Sequence, residues 1–231
     1  MTEAAGRTLT EQLAQGLGFA IGVGSVALYS PLLYRLWRKR TADGLSVSVW
    51  VMKSCSYAVS AAYSHAHGYP LSTYVEALSI GAQAFALLCL VCHFQKAWAP
   101  ALLVAAGGTA LTAVCTMSAD GGVALLTSLQ VVAVVGSAAA LVPQIRLNHA
   151  RSSSGEFSPI TAALLVGGNL LRAWTTVQLA GGDAVLMGGF ALGFTVSSAL
   201  LAQIVYYGVV KERMSICDVM LSDFVTKQPT R

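Results

Sequence analysis

Charge is what this sequence has least of. Its 231 residues include 14 basic and 10 acidic side chains, 10% of the chain, where soluble domains carry roughly 25%. So few charges cannot cover the surface of a water-soluble domain of this size. They also exclude a disordered chain, a coiled coil and a nucleic-acid-binding surface. Cysteine is sparse and odd in number. Cys55, Cys89, Cys92, Cys115 and Cys217 cannot all pair, and all but Cys217 lie in apolar stretches, which argues against a disulfide framework. Cys89-Leu90-Val91-Cys92-His93 matches a haem-attachment spacing, but it closes a long apolar run, where buried free thiols are the expectation. The alternation of a membrane β-barrel is missing as well. No nucleophile, base and orienting group stand at a useful spacing. His65, His67, His93 and His149 fall in loops or at the ends of apolar runs. The expectation is a non-enzyme without cofactor or metal.

What remains is apolar. Hydrophobic residues make up 55% of the chain, and a helix needs about 20 of them in sequence to cross about 30 Å of hydrocarbon. Seven runs of 19 to 27 residues are almost free of Asp, Glu, Lys and Arg: 12–34, 54–75, 77–95, 97–119, 121–145, 157–182 (interrupted by Arg172) and 184–210. Seven transmembrane helices are expected, joined by short polar turns that make successive helices antiparallel neighbours. The loops after the first, third and fifth runs, with the C-terminal tail, hold eleven Lys and Arg residues. The opposite side has Arg7 alone. This asymmetry places the C-terminus in the cytosol and the N-terminus in the lumen.

The basic loops after runs one and five are alike. Pro31-Leu32 precedes the first and Pro143-Gln144 the second. Each loop passes through a glycine, Gly44 or Gly155, into a new span. The prolines are 112 residues apart and the glycines 111. The expected architecture is a duplicated three-helix unit with the fourth span as connector: 1–11 a polar N-terminal segment, 12–96 the first repeat, 97–119 the linker, 120–210 the second repeat and 211–231 a cytosolic tail. Duplicated halves commonly frame a substrate path. A proline within a membrane helix frees a carbonyl one turn earlier and bends the helix, so Pro31 and Pro143 are expected as paired hinges or as static kinks.

These motifs resemble PQ-loop repeat proteins, the superfamily of SWEET-type sugar transporters and lysosomal amino-acid exporters. The segments Ala42-Asp43-Gly44-Leu45-Ser46 and Gly68-Tyr69-Pro70-Leu71, running on to Glu76-Ala77, narrow the likeness. So do Ser154-Gly155-Glu156-Phe157-Ser158-Pro159, Gly167-Gly168-Asn169-Leu170-Leu171-Arg172 and Gly182-Asp183. They are similar to the mannose-P-dolichol utilization defect 1 family. The first motif departs from the pattern in lacking its Gln, and Lys53 stands where the family has an acidic residue. The resemblance implies two parallel three-helix PQ-loop repeats joined by a linker helix in the endoplasmic reticulum membrane. It also implies a role in the use of dolichol-phosphate mannose and glucose as glycosyl donors. The partners expected are membrane lipid and a dolichyl-phosphate sugar, with further membrane subunits or a second copy left open. A PQ-loop small-solute transporter and a non-catalytic subunit of a larger complex are the alternative roles.

Charges at membrane depth are costly and mark function. Glu76 is expected either to pair with Lys53 or to accept hydrogen bonds from a sugar. Arg172 and Asn169, one turn apart, face the same way. The guanidinium suits a phosphodiester, or else reaches out to the interface. Gln144 is a candidate donor to ligand or to backbone. Arg35, Arg38, Lys39, Arg40 and Arg146 set topology and attract anionic lipid. Gly18 with Gly22, and Gly189 with Gly193, are small-residue pairs for close helix packing. Trp37, Trp98, Tyr206 and Tyr207 are expected as interfacial anchors.

Overall fold

An all-α membrane architecture is what the computed structural model shows. It describes residues 8–42, 45–116, 120–139, 141–151 and 159–211, with 213, 215 and 219. The helices are α1 (Leu9–Lys39), α2 (Val47–Ala66), α3 (Leu71–Phe94), α4 (Ala99–Thr116), α5 (Asp120–Ala139), α6 (Val142–Arg151), α7 (Pro159–Leu179) and α8 (Ala184–Tyr206). A π-helical turn, Tyr207–Lys211, extends α8. There is no strand among the described residues. By length and composition four helical stretches can cross a membrane: Leu9–Lys39, Leu71–Phe94, Gly122–Ala139 and Ala184–Val210. Helices α2 and α7 have the length, 20 and 21 residues, but carry the polar load: Lys53 with a series of serines on α2, and Asn169, Arg172, Thr175 and Thr176 on α7.

The two prolines take different places. Pro31 lies inside an unbroken α1. Pro143 follows a break, since α5 ends at Ala139 and α6 starts at Val142. In the first turn of α6 its missing N–H forfeits no intrahelical bond. Run 121–145 is therefore two helices and not one bent helix. Gly44 and Gly155, the glycines of the two basic loops, lie outside the described residues.

The chain forms two compact units: Met1–Ala133 with Thr175–Asp183, and Val134–Trp174 with Ala184–Arg231. In the first, α1 opens with a capping box. Thr8 Oγ1 accepts from the Glu11 N–H at 3.3 Å and Glu11 Oε2 accepts from the Thr8 N–H at 3.2 Å, satisfying two donors that a helix start otherwise leaves bare. Helices α1 and α2 both pack on α3, and α4 covers α2 and α3. Gly18 lets α1 rest on the backbone of Ser72, and a Cβ at Gly22 would come within 2.5 Å of Val75 Cγ1. Only residues without a side chain allow that approach. Leu36, Trp50, Leu87, Leu88, Val91 and Cys92 form the core. Cys92 of the haem-like spacing is thus a packed thiol.

In the second unit α6 packs on α8, around Ala162, Leu200, Ile204 and Val219. Gly189 meets Val134, and Gly193 lies against the Asn169 side chain. Tyr207 is buried, not interfacial, and its hydroxyl contacts His149 Nδ1 at 3.2 Å.

Candidate functional site

A polar cluster and a cavity share one residue in the first unit. Lys53, half-buried on α2, donates its Nζ to the Tyr29 hydroxyl at 2.9 Å, and the ammonium also stands 5.5 Å from the centre of the Tyr29 ring. The phenol oxygen gives this cation an acceptor, which compensates in part for the loss of water. Tyr29 is braced edge-on by Trp50, with ring centres 5.3 Å apart. Tyr57, one turn beyond Lys53, hydrogen-bonds Tyr29 and lies within the field of Glu76 on α3. Lys53, Tyr29, Tyr57 and Glu76 thus share one electrostatic neighbourhood.

Tyr57 also lines a cavity of about 310 Å³ between α2, α3 and α4. Its walls are mostly small: Ala58, Ala61, Gly81 and Gly108 among them, with Phe85 at one side. Ser54 lines it too. Its hydroxyl is buried and has no hydrogen-bond partner among the described residues, although a helical serine ordinarily bonds back to its own backbone. A buried polar group left unmatched costs about 1–3 kcal/mol. A ligand carrying a donor or acceptor would remove that cost.

The α1 wall of the cluster is held from α3. Gln83 Oε1 accepts from the Tyr29 N–H at 3.0 Å, and its Nε2 donates to the Ser25 carbonyl at 2.9 Å. A second bond from Nε2 returns to the Ser79 carbonyl at 3.1 Å. Two residues later Pro31 removes another N–H from the α1 ladder. Both features lie on the stretch of α1 that faces Lys53, within a continuous helix.

A second cluster closes the α2–α3 turn. The hydroxyls of Tyr63 and Tyr69 both donate to Asp183 Oδ2 at 2.8 Å. Tyr63 and Tyr69 flank the His67 ring, with centres 4.1 and 5.6 Å away, and His67 Nδ1 lies 2.8 Å from the Tyr63 carbonyl. Burial first, then the bond to Asp183 and its charge, pushes the Tyr69 hydroxyl up to about 12. Gly181 and Gly182, at φ of 60° and 74°, supply the left-handed turn that delivers Asp183. His65 Nδ1 turns instead to the Tyr74 hydroxyl, 3.4 Å away. No metal-holding group of three or more His, Cys, Asp and Glu is found among the described residues.

The other sequence candidates lie in the second unit. Arg172 is buried on α7 at 9% exposed. Asn169, one turn earlier, bonds the Leu165 carbonyl at 2.7 Å and packs on Gly193. Pro143 and Gln144 sit in the first turn of α6. The Gln144 side chain lies outside what the structure describes; beside it, Gln203 of α8 donates its Nε2 to the Ile145 carbonyl at 3.0 Å. Sequence reasoning missed Tyr29, Ser54, Tyr57 and Gln83. They are uncharged and sit in apolar runs, where tyrosine and serine read as packing. Gln83, a glutamine in the middle of the third run, was the available signal.

No solved structure matches the chain. Residues 125–181, running from α5 through the Pro143-Gln144 pair to the turn after α7, match the family model of the PQ loop repeat. That similarity covers about a quarter of the chain and supports a link to the PQ-loop superfamily, and four helical stretches long and apolar enough to span a bilayer fit a multi-pass membrane protein.

Proposed function

We propose that this protein binds a dolichyl-phosphate sugar in the endoplasmic reticulum membrane and makes it usable as a glycosyl donor, by presentation or translocation and without catalysing a reaction itself. The observation that carries the reading is the shared position of Tyr57. An apolar slot walled by alanine and glycine meets, at that residue, a cluster of ammonium, carboxylate and phenol groups. Such a site suits an amphiphile: the prenyl chain along the slot, sugar hydroxyls against Tyr57, Ser54 and the Lys53–Glu76 cluster. In the second unit, by itself, the buried Arg172 beside Asn169 has the chemistry to hold a phosphodiester. The resemblance of both halves to a family required for dolichol-linked sugars supports the same conclusion. The proposed orientation, with a lumenal N-terminus and cytosolic C-terminus, follows from the basic residues.

Complementation tests it. Cells lacking the related protein should regain full-length lipid-linked oligosaccharide on expression of this chain, and Tyr57→Phe with Ser54→Ala should reduce the rescue. No rescue by a correctly inserted protein would refute the reading. A second reading is favoured by the cavity's volume, about 310 Å³, at the small end for ligand sites. It is a PQ-loop transporter of a small sugar or amino acid. Solute uptake into proteoliposomes, with no rescue in cells, would select it.

A further inference from the structure

The end of α1 sorts four cations into two kinds. Arg38 Nη1 meets the Tyr34 hydroxyl at 3.3 Å, and Arg40 lies 5.2 Å from the centre of the Trp37 ring. Both are occupied by aromatic side chains of their own helix. Arg35 and Lys39 are one turn apart on another face, and both line a cavity of about 300 Å³ with Thr41. No acidic partner of either is found among the described residues. Like charges at this spacing repel each other, and an anion bound between them would relieve that repulsion.

The cavity has an apolar and a polar side. Its apolar side is Leu32, Leu36 and Leu45, and Leu36 belongs to the core. The polar side is built by a chain reversal. Arg40 takes a left-handed conformation at φ 57° and caps the helix on the Leu36 carbonyl, which turns Thr41 and Leu45 back beside the last turns of α1. Gln95 of α3 fixes that wall by donating to the Leu45 carbonyl at 2.9 Å. Depth agrees. The 31 residues of α1 span about 46 Å at 1.5 Å each, more than the hydrocarbon thickness. Tyr34 and Trp37, 63% and 60% exposed, mark the aromatic belt. Arg35 follows directly on the charge-free run 12–34, at headgroup level.

We infer that Arg35, Lys39 and Thr41 hold the headgroup phosphate of an anionic membrane lipid, with an acyl chain against Leu32, Leu36 and Leu45. Basic pockets beside membrane helices bind acidic headgroups in this way. The site is separate from the Lys53–Tyr57 cavity and holds whichever ligand that cavity takes.

The test uses the full chain in phosphatidylcholine nanodiscs containing a minor fraction of phosphatidic acid. Native mass spectrometry after release counts the retained phosphatidic acid. Wild type should retain it in preference to phosphatidylcholine. Arg35→Gln with Lys39→Gln should lower retention by roughly tenfold or more, while Arg38→Gln with Arg40→Gln should lower it by less than about threefold. Thr41→Glu, which puts a carboxylate between the cations and leaves both in place, should match the first pair. Equal losses from the Arg35/Lys39 and the Arg38/Arg40 double variants would reduce the site to diffuse attraction and overturn the inference. Displacement of the lipid by millimolar inorganic phosphate would overturn it too, by assigning the pocket to a soluble anion.

Discussion

Gln83 stands across the Ser25–Tyr29 step of α1, accepting from the Tyr29 N–H and donating to the Ser25 carbonyl, the two groups that an uninterrupted helix joins to each other. A side chain inserted in the backbone ladder is one of the few established causes of helix bending. This one is two residues from Pro31 and contacts the residue that receives Lys53. It ties the geometry of α1 to α3 at the depth of the proposed site.

Gln83→Leu should separate folding from function. Removing the amide lets Ser25 and Tyr29 bond directly, so thermal unfolding in detergent should change by less than about 1.5 kcal/mol. Rescue of lipid-linked oligosaccharide should fall strongly, because Tyr29 is no longer held where Lys53 and Tyr57 meet it. Wild-type rescue would leave the wedge a packing contact alone.

Gly22→Val should destabilise the protein by about 1–3 kcal/mol through overpacking, since a Cβ at that position collides with Val75. Gly24→Ala, on the same helix but with nothing within 4 Å of the added carbon, should be neutral or slightly stabilising. Parallel melting curves decide it. Equal effects of both substitutions would show that α1 does not rest on α3 through Gly22.

Asp183→Ala should cost about 1.5–3 kcal/mol by removing a charged acceptor from two phenols. Tyr69→Phe should remove only its share, and a double-mutant cycle isolates the pair. The bond also sets an alkaline limit. The Tyr69 hydroxyl is raised in the folded state from the ordinary 10 to about 12, so the folded chain holds its proton more tightly. That stabilisation is complete below pH 10 and disappears as pH rises through 12. A pH series of melting temperatures should show a loss in this window that Tyr69→Phe lacks.

Arg172→Lys keeps the charge and loses the planar fork. If the fork holds a phosphodiester, rescue should fall about tenfold, the worth of one charge-assisted hydrogen bond, and Arg172→Leu should abolish it. Protein level and melting temperature are followed alongside. A lysine variant with full rescue would leave Arg172 with a charge role only.

The all-helical membrane architecture was legible because scarcity of charge has a single physical solution. Backbone polar groups cannot remain unpaired in hydrocarbon, so long apolar runs without strand alternation must be helices. The Pro143-Gln144 pair pointed to a PQ loop, and the PQ loop repeat model matches around it, over residues 125–181. The places of the charged candidates could also be read, because a charge inside an apolar run is conspicuous. Their neighbours could not. Which tyrosine meets Lys53, that Gln83 reaches α1, and that Tyr63 and Tyr69 share Asp183 are contacts over separations of 24 to 120 residues.

Sequence alone decided the class of solvent, the helical character of the apolar runs and the end of α1 that carries the cations. Tertiary structure decided how the two prolines differ, because a helix can continue through Pro31 where α3 supports it or restart at Pro143. It also decided which uncharged residues line a site. The hydroxyls of Ser54 and Tyr57 acquire a role only when α2, α3 and α4 enclose a space beside them, and such enclosure depends on how helices pack.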